Sequence, residues 1–277
     1  MNAKESTLPP RLAAAIDSSE EGLDLFRRAA RLAASLNMAL EATILEDRNL
    51  QHLADLPFGR TFGFSTGLTR HFDREALSEV ARSKAERIRK AHEELTRQFR
   101  ISCTTVSESS VSAAGAILQL TAANRYVLAR GLLHSTEIVR PRSSSRSREL
   151  NGNVLIVLSN DPISLESDVA TGLRIARTLD RTPVLLAPTV LQDALTILLK
   201  TRRGRASDKP IEAEFDERIA PDDLCAVAGR HKADLIVMPV ELVGSSEDDF
   251  KTFLRRVGCP LLLINRAQPE DTAAAPI

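Results

Sequence analysis

Short aliphatic runs alternate with longer stretches of helical spacing along nearly the whole chain. The runs at 12–16, 40–45, 101–107, 126–129, 153–158, 184–187, 211–215, 233–239 and 259–265 are bounded by turn residues. Several are uninterrupted Leu, Ile, Val or Ala, which suits strands covered on both faces. Between them lie amphipathic segments. Leu23, Phe26, Ala30, Leu32, Ala33 and Leu36 mark a first helix. Leu77, Val80, Ala81, Ala85, Ile88, Ala91, Leu95 and Phe99 mark a long one from Asp73 to Arg100. Further helices are expected at 111–123, 164–179, 191–200, 221–231 and 247–258. A helix between two buried strands is a crossover of a parallel sheet, so the pattern predicts an α/β fold with right-handed connections.

The helix starts carry their own chemistry. Ser18-Ser19-Glu20-Glu21 offers N-cap hydroxyls followed by first-turn acids, and Glu247-Asp248-Asp249 repeats the acids before the last helix. Such carboxylates favour the exposed N–H groups and the positive end of the helix dipole. From Glu46 to Phe72 no period holds, yet Phe58, Phe62, Phe64 and Phe72 cluster among Gly59, Gly63 and Gly67. That segment reads as a long loop tucking its rings under neighbouring helices, or as a partner-binding lid.

The series runs through four strands, stops after Arg130-Gly131, and starts again at Asn153. Two successive β-α-β-α series point to an internal duplication, with the first copy short of a final helix and strand. The expected organisation is a truncated domain at 1–139, a linker at 140–150, a complete domain at 151–266 and a disordered tail at 267–277. Glu137-Ile138-Val139 is a candidate remnant strand. The linker, Arg140 to Arg148, alternates Ser with Arg; it reads as a solvated tether, or as a grip for RNA or a phosphoprotein.

Charge and composition narrow the function. There are 37 basic and 37 acidic residues, so the whole molecule has no field to steer it toward polyanions. Cys103, Cys225 and Cys259 are far apart with no CxxC spacing, which argues against a disulfide framework or a zinc site. No HxxxH pair occurs among His52, His71, His92, His134 and His231. No metal and no catalytic residue is expected. Neither a signal peptide nor a spanning segment is visible, so a soluble, cytoplasmic protein is expected.

Three stretches resemble the universal stress protein family. Ala233-Asp234-Leu235-Ile236-Val237-Met238 leading to Cys259-Pro260-Leu261-Leu262-Leu263-Ile264 is similar to that family's last strand–helix–strand. The opening strand, ending in Asp17-Ser18-Ser19, is similar to its first strand and the turn after it. The resemblance implies two adenine-nucleotide α-hydrolase-like domains with parallel sheets and a regulatory role in stress.

Nucleotide-binding relatives carry Gly-x2-Gly-x9-Gly-(Ser/Thr) after the fourth strand, where glycines let backbone N–H groups approach phosphate. The second half departs from it: Pro239 takes the first glycine position, and Glu247-Asp248 takes the last Gly-Ser. Carboxylates there repel a triphosphate. In the first half Asp17 matches the residue that meets adenine or ribose, with Ser19 beside it and Arg130-Gly131 after the fourth strand. Asp17 equally suits a helix-capping role. The reading is therefore a non-catalytic regulator or scaffold without ATP. Its alternatives are an adenine-nucleotide sensor or slow ATPase through Asp17, Ser19, Arg130 and Gly131, and an adaptor through the Arg140–Arg148 linker. In the family the fifth strand is a sheet edge, so a homodimer through Cys259–Ile264 is also expected, besides an unidentified protein partner.

Overall fold

In the computed structural model the described residues are 10–47, 60–62, 69–71, 74–110, 112–130, 152–202, 210–217, 219–243 and 246–267. Gly131, Glu137–Val139, the Arg140–Arg148 linker, Phe58, Phe64, Phe72 and the tail after Ala267 lie outside them.

The first half contains β1 (Arg11–Ile16), α1 (Glu20–Leu36), β2 (Ala39–Asp47), β3 (Arg60–Phe62), β4 (Thr69–His71), α2 (Arg74–Phe99), β5 (Cys103–Ser110), α3 (Ala113–Ala123) and β6 (Tyr126–Ala129). The second contains β7 (Asn153–Val157), α4 (Leu165–Thr178), β8 (Pro183–Pro188), α5 (Gln192–Arg202), β9 (Glu212–Asp216), α6 (Pro221–Arg230), β10 (Ala233–Pro239), α7 (Glu247–Arg256) and β11 (Leu261–Ile264). Single 3-10 turns at Thr189–Leu191 and Val240–Val243 precede α5 and α7. Within the segment expected as a long loop or a partner-binding lid, β3 and β4 pair antiparallel in a small sheet of their own.

Both halves share one nine-stranded sheet, in the order β5-β2-β1-β6-β11-β10-β7-β8-β9. The expectation of two separate parallel sheets is corrected accordingly. Each half places its third, second, first and fourth strands side by side, as β5-β2-β1-β6 and β9-β8-β7-β10. All the pairings in this sheet are parallel except that of β11 with β6.

That exception overturns the expected edge at Cys259–Ile264. Leu261 lies opposite Ala129 and Ile264 opposite Tyr126, while β10 covers the other side of β11. With no neighbour of its own half beyond β6, the free side of β6 accepts the last strand of the second half. Every residue of β11 is buried, so it is an interior strand and cannot carry the dimer.

Alternate residues of the aliphatic runs feed two cores, because successive side chains point to opposite faces. Leu12, Ala14, Ile16, Tyr126, Leu128, Ile156 and Leu262 pack under α1, α2, α4 and α5. Ala13, Ala15, Val127, Leu155, Ile236, Leu261 and Leu263 pack under α3, α6 and α7, where Phe250 and Phe253 supply the bulk. The molecule is a three-layer sandwich. Tyr126, the chain's one tyrosine, is buried and meets Arg174 of α4 at 3.5 Å, joining the halves across one face.

Candidate functional site

In an open parallel sheet, a crevice forms at the carboxyl ends of the strands where the strand order reverses. Here two such points exist, between β1 and β6 and between β7 and β10. Since β11 runs against β6, they open at opposite ends of the sheet.

At the first point, β1 is followed directly by Asp17. Asp17 Oδ1 accepts from the backbone N–H of Ser19 at 2.9 Å and also from the Ser19 hydroxyl. Ser19 in turn is the N-cap of α1, its Oγ accepting from Gly22 N at 3.0 Å. The loop is tight enough that a Cβ on Gly22 would lie 2.2 Å from the Asp17 backbone oxygen. Arg130, following β6, reaches Glu21 of α1 at 3.8 Å, and Glu20 is bridged by Arg87 of α2. The structure thus brings Asp17, Ser19 and Arg130 to one end of the sheet; Ser19 caps α1, and Asp17 holds Ser19 in place.

At the second point the sequence named no positive site, and the structure contains a half-buried polar cluster. Arg266, just past β11, donates to Ser159 Oγ at 2.9 Å and to the Asp168 carboxylate. Ser164 Oγ lies 3.3 Å from Ser159 Oγ and 3.5 Å from Asp168 Oδ2. Asp161 closes the turn by accepting from Ile163 N at 3.0 Å. The Asp168 side chain is 10% exposed and that of Arg266 23%. Burial pushes the Asp168 carboxyl up to about 6, against the pull of Arg266 and Ser164, with Glu241 adding repulsion. Arg266 Nε is buried and has no hydrogen-bond partner among the described residues.

This cluster had one sequence signal. Asp168 sits among Leu165, Val169, Thr171 and Gly172 on the buried side of α4, where a carboxylate needs a partner. Its partner is 98 residues away, which no local pattern reveals.

The acids of α7 behave as helix chemistry. Ser246 caps the helix by accepting from Asp249 N at 3.1 Å, and its hydroxyl donates back to the Asp249 carboxylate at 2.6 Å. A Cβ on Gly115 in the first turn of α3 would lie 3.2 Å from Glu247 Oε2. That turn has no acid of its own, so Glu247 supplies the favourable charge from a neighbouring helix.

The remaining candidates have structural partners. His92 Nε2 donates to the Cys103 carbonyl at 3.0 Å, and His231 lies between Glu212 and Glu214 at 3.3 and 2.9 Å. Burial raises the Cys103 thiol to about 11 and the Cys259 thiol to about 12, the latter with help from Asp234 and Cys225. Neither is a nucleophile at neutral pH. Among the described residues no group of three or more His, Cys, Asp or Glu is placed to hold a metal ion. No helix among them is long and apolar enough to cross a membrane.

No protein-family model matches the chain, and no curated protein does. Solved structures do. A universal stress protein from Archaeoglobus fulgidus aligns over 92% of this chain and 98% of its own, with 10% identity and a TM-score of 0.50. A structure described as a putative universal stress protein from Pseudomonas aeruginosa aligns over 94% of each chain, with 13% identity and a TM-score of 0.48. The fold is that of universal stress proteins.

Proposed function

We propose that this protein is a stress-associated regulator or scaffold that acts by binding other proteins and not by catalysis. In this reading the chain is a tandem of two copies of one unit, the first without its final strand. The repeated third-second-first-fourth strand order supports the duplication. The reading includes no ATP site in either half.

The observation that carries it is the Arg266–Asp168–Ser159 cluster. It joins the carboxyl ends of β7 and β11, on either side of β10, the strand after which nucleotide-binding relatives carry their phosphate loop. Pro239 at the end of β10 removes a donor N–H from the same place, and Glu241 adds a second carboxylate near Asp168. A triphosphate entering there meets negative charge and must displace an ion pair. In the first half, one oxygen of the Asp17 carboxylate is engaged by Ser19.

Calorimetry with Mg-ATP tests this directly, and no heat of binding is expected up to millimolar nucleotide. Micromolar binding abolished by Val240→Arg would place a nucleotide at the second point and refute the proposal. Binding abolished by Asp17→Ala would establish the nucleotide-sensor reading instead. Native mass spectrometry of the protein from its own host reads bound nucleotide and co-purifying protein together.

A further inference from the structure

The sheet has two outer strands, β5 and β9, and they are defended very differently. An outer strand offers a row of unpaired N–H and C=O groups, which natural proteins usually blunt with charge. On β9 the acids Glu212, Glu214 and Asp216 alternate along the strand, braced by Arg230 and His231 of the neighbouring helix region. In any antiparallel pairing of β9 with its copy, residues of like parity face each other. Each register through the centre of the strand then sets carboxylate against carboxylate.

The eight-residue β5 has no such defence. From Cys103 to Ser107 it carries no charge, Thr104 to Ser107 are exposed, and Val106 is 51% exposed. Its hydrogen-bonding parity follows from one bond: Leu40 of β2 donates to the Ser102 carbonyl at 2.8 Å. In a parallel ladder the N–H and C=O of one residue point the same way, and residues alternate. Ser102, Thr104, Val106 and Glu108 therefore face β2. Cys103, Thr105, Ser107 and Ser109 face outward, and among the described residues no strand pairs with them. His92 of α2 occupies the Cys103 carbonyl, closing one end of the row.

We infer that β5 pairs with β5 of a second copy of this chain, antiparallel about a two-fold axis through Val106. Outward residues must meet outward residues, so Thr105 lies opposite Ser107 and Ser107 opposite Thr105. Those two pairs supply four backbone hydrogen bonds. The two Val106 residues then face each other at a closely spaced, non-hydrogen-bonded position, removing exposed apolar surface from water. Glu108, the strand's one charged residue, falls opposite Thr104 and not opposite its own copy. Identical edges meeting on a two-fold axis close the assembly at a dimer.

Sedimentation equilibrium of the full chain over a wide concentration range tests the pairing. A reversible dimer is expected. Thr105→Pro removes an outward N–H without touching the β2 ladder, and Val106→Lys sets two ammonium groups together on the axis. Each should weaken dimerisation by roughly tenfold or more. If the proline variant does not fold, the lysine variant alone carries this comparison.

Amide exchange by NMR supplies a second readout. Thr105 and Ser107 should gain protection as concentration rises, while Thr104 and Val106 stay protected throughout by β2. A monomer at millimolar concentration overturns the inference, as does a dimer indifferent to both variants. An edge that takes up an extended foreign peptide while the chain alone stays monomeric overturns it equally.

Discussion

Replacing Asp168 by Asn gives a sharp test of the polar cluster at the end of β7. Burial raises the Asp168 carboxyl from its ordinary 3.8 to about 6, so the folded protein holds this proton more tightly than the unfolded chain. A group of that kind costs stability above its folded value. The cost is recovered as pH falls through 6 toward 3.8. Between pH 7.5 and pH 5 the wild type should gain about 1.4 kcal/mol from Asp168 alone, taking 1.36 kcal/mol per tenfold change in proton affinity. In a chain of this length that corresponds to roughly 2–3 °C in Tm. The asparagine keeps an acceptor for Arg266 and Ser164 but has no proton to gain. Glu86 and Glu214, whose carboxyls are held low, respond in the opposite sense, and both proteins share them. The difference between variant and wild type therefore isolates residue 168. Urea melts of both at the two pH values measure it, with carboxyl carbon NMR following the titration itself. Parallel pH profiles for the two proteins, or a titration near 4, would refute the argument.

Gly22→Ala should lose stability even though it improves helix propensity. The propensity gain is about 1 kcal/mol, but the new Cβ lies 2.2 Å from the Asp17 backbone oxygen, which cannot swing away. A net loss of roughly 2 kcal/mol in urea is expected, and a stabilised variant would show that the β1–α1 turn is looser than described. The thiols should be slow. Raised from 9.0 to about 11, Cys103 has roughly a hundredfold less thiolate at pH 8 than an ordinary cysteine, and Cys259 has still less. Mass spectrometry of iodoacetamide-treated native protein reads this, and labelling at the rate of unfolded chain would contradict it.

How much of this was legible in the chain differs from one element to the next. The aliphatic runs at 12–16, 153–158 and 233–239 determined buried strands, since such runs can be hidden only with cover on both faces. Ser19, Ser246 and the acids after them determined where α1 and α7 begin, because capping is chemistry within one turn. The tertiary structure decided the rest. The single sheet depends on β11 pairing with β6, more than a hundred residues apart, and an all-aliphatic strand has no side chain that tells an interior place from an edge. The Asp168–Arg266 pair depends on where the end of β11 falls beside the end of β7. The outer place of β5 in the sheet depends on strand order, which no local spacing encodes. Local propensity acts within a turn or a strand, whereas strand order and long-range ion pairs follow from which hydrophobic faces the whole chain buries together.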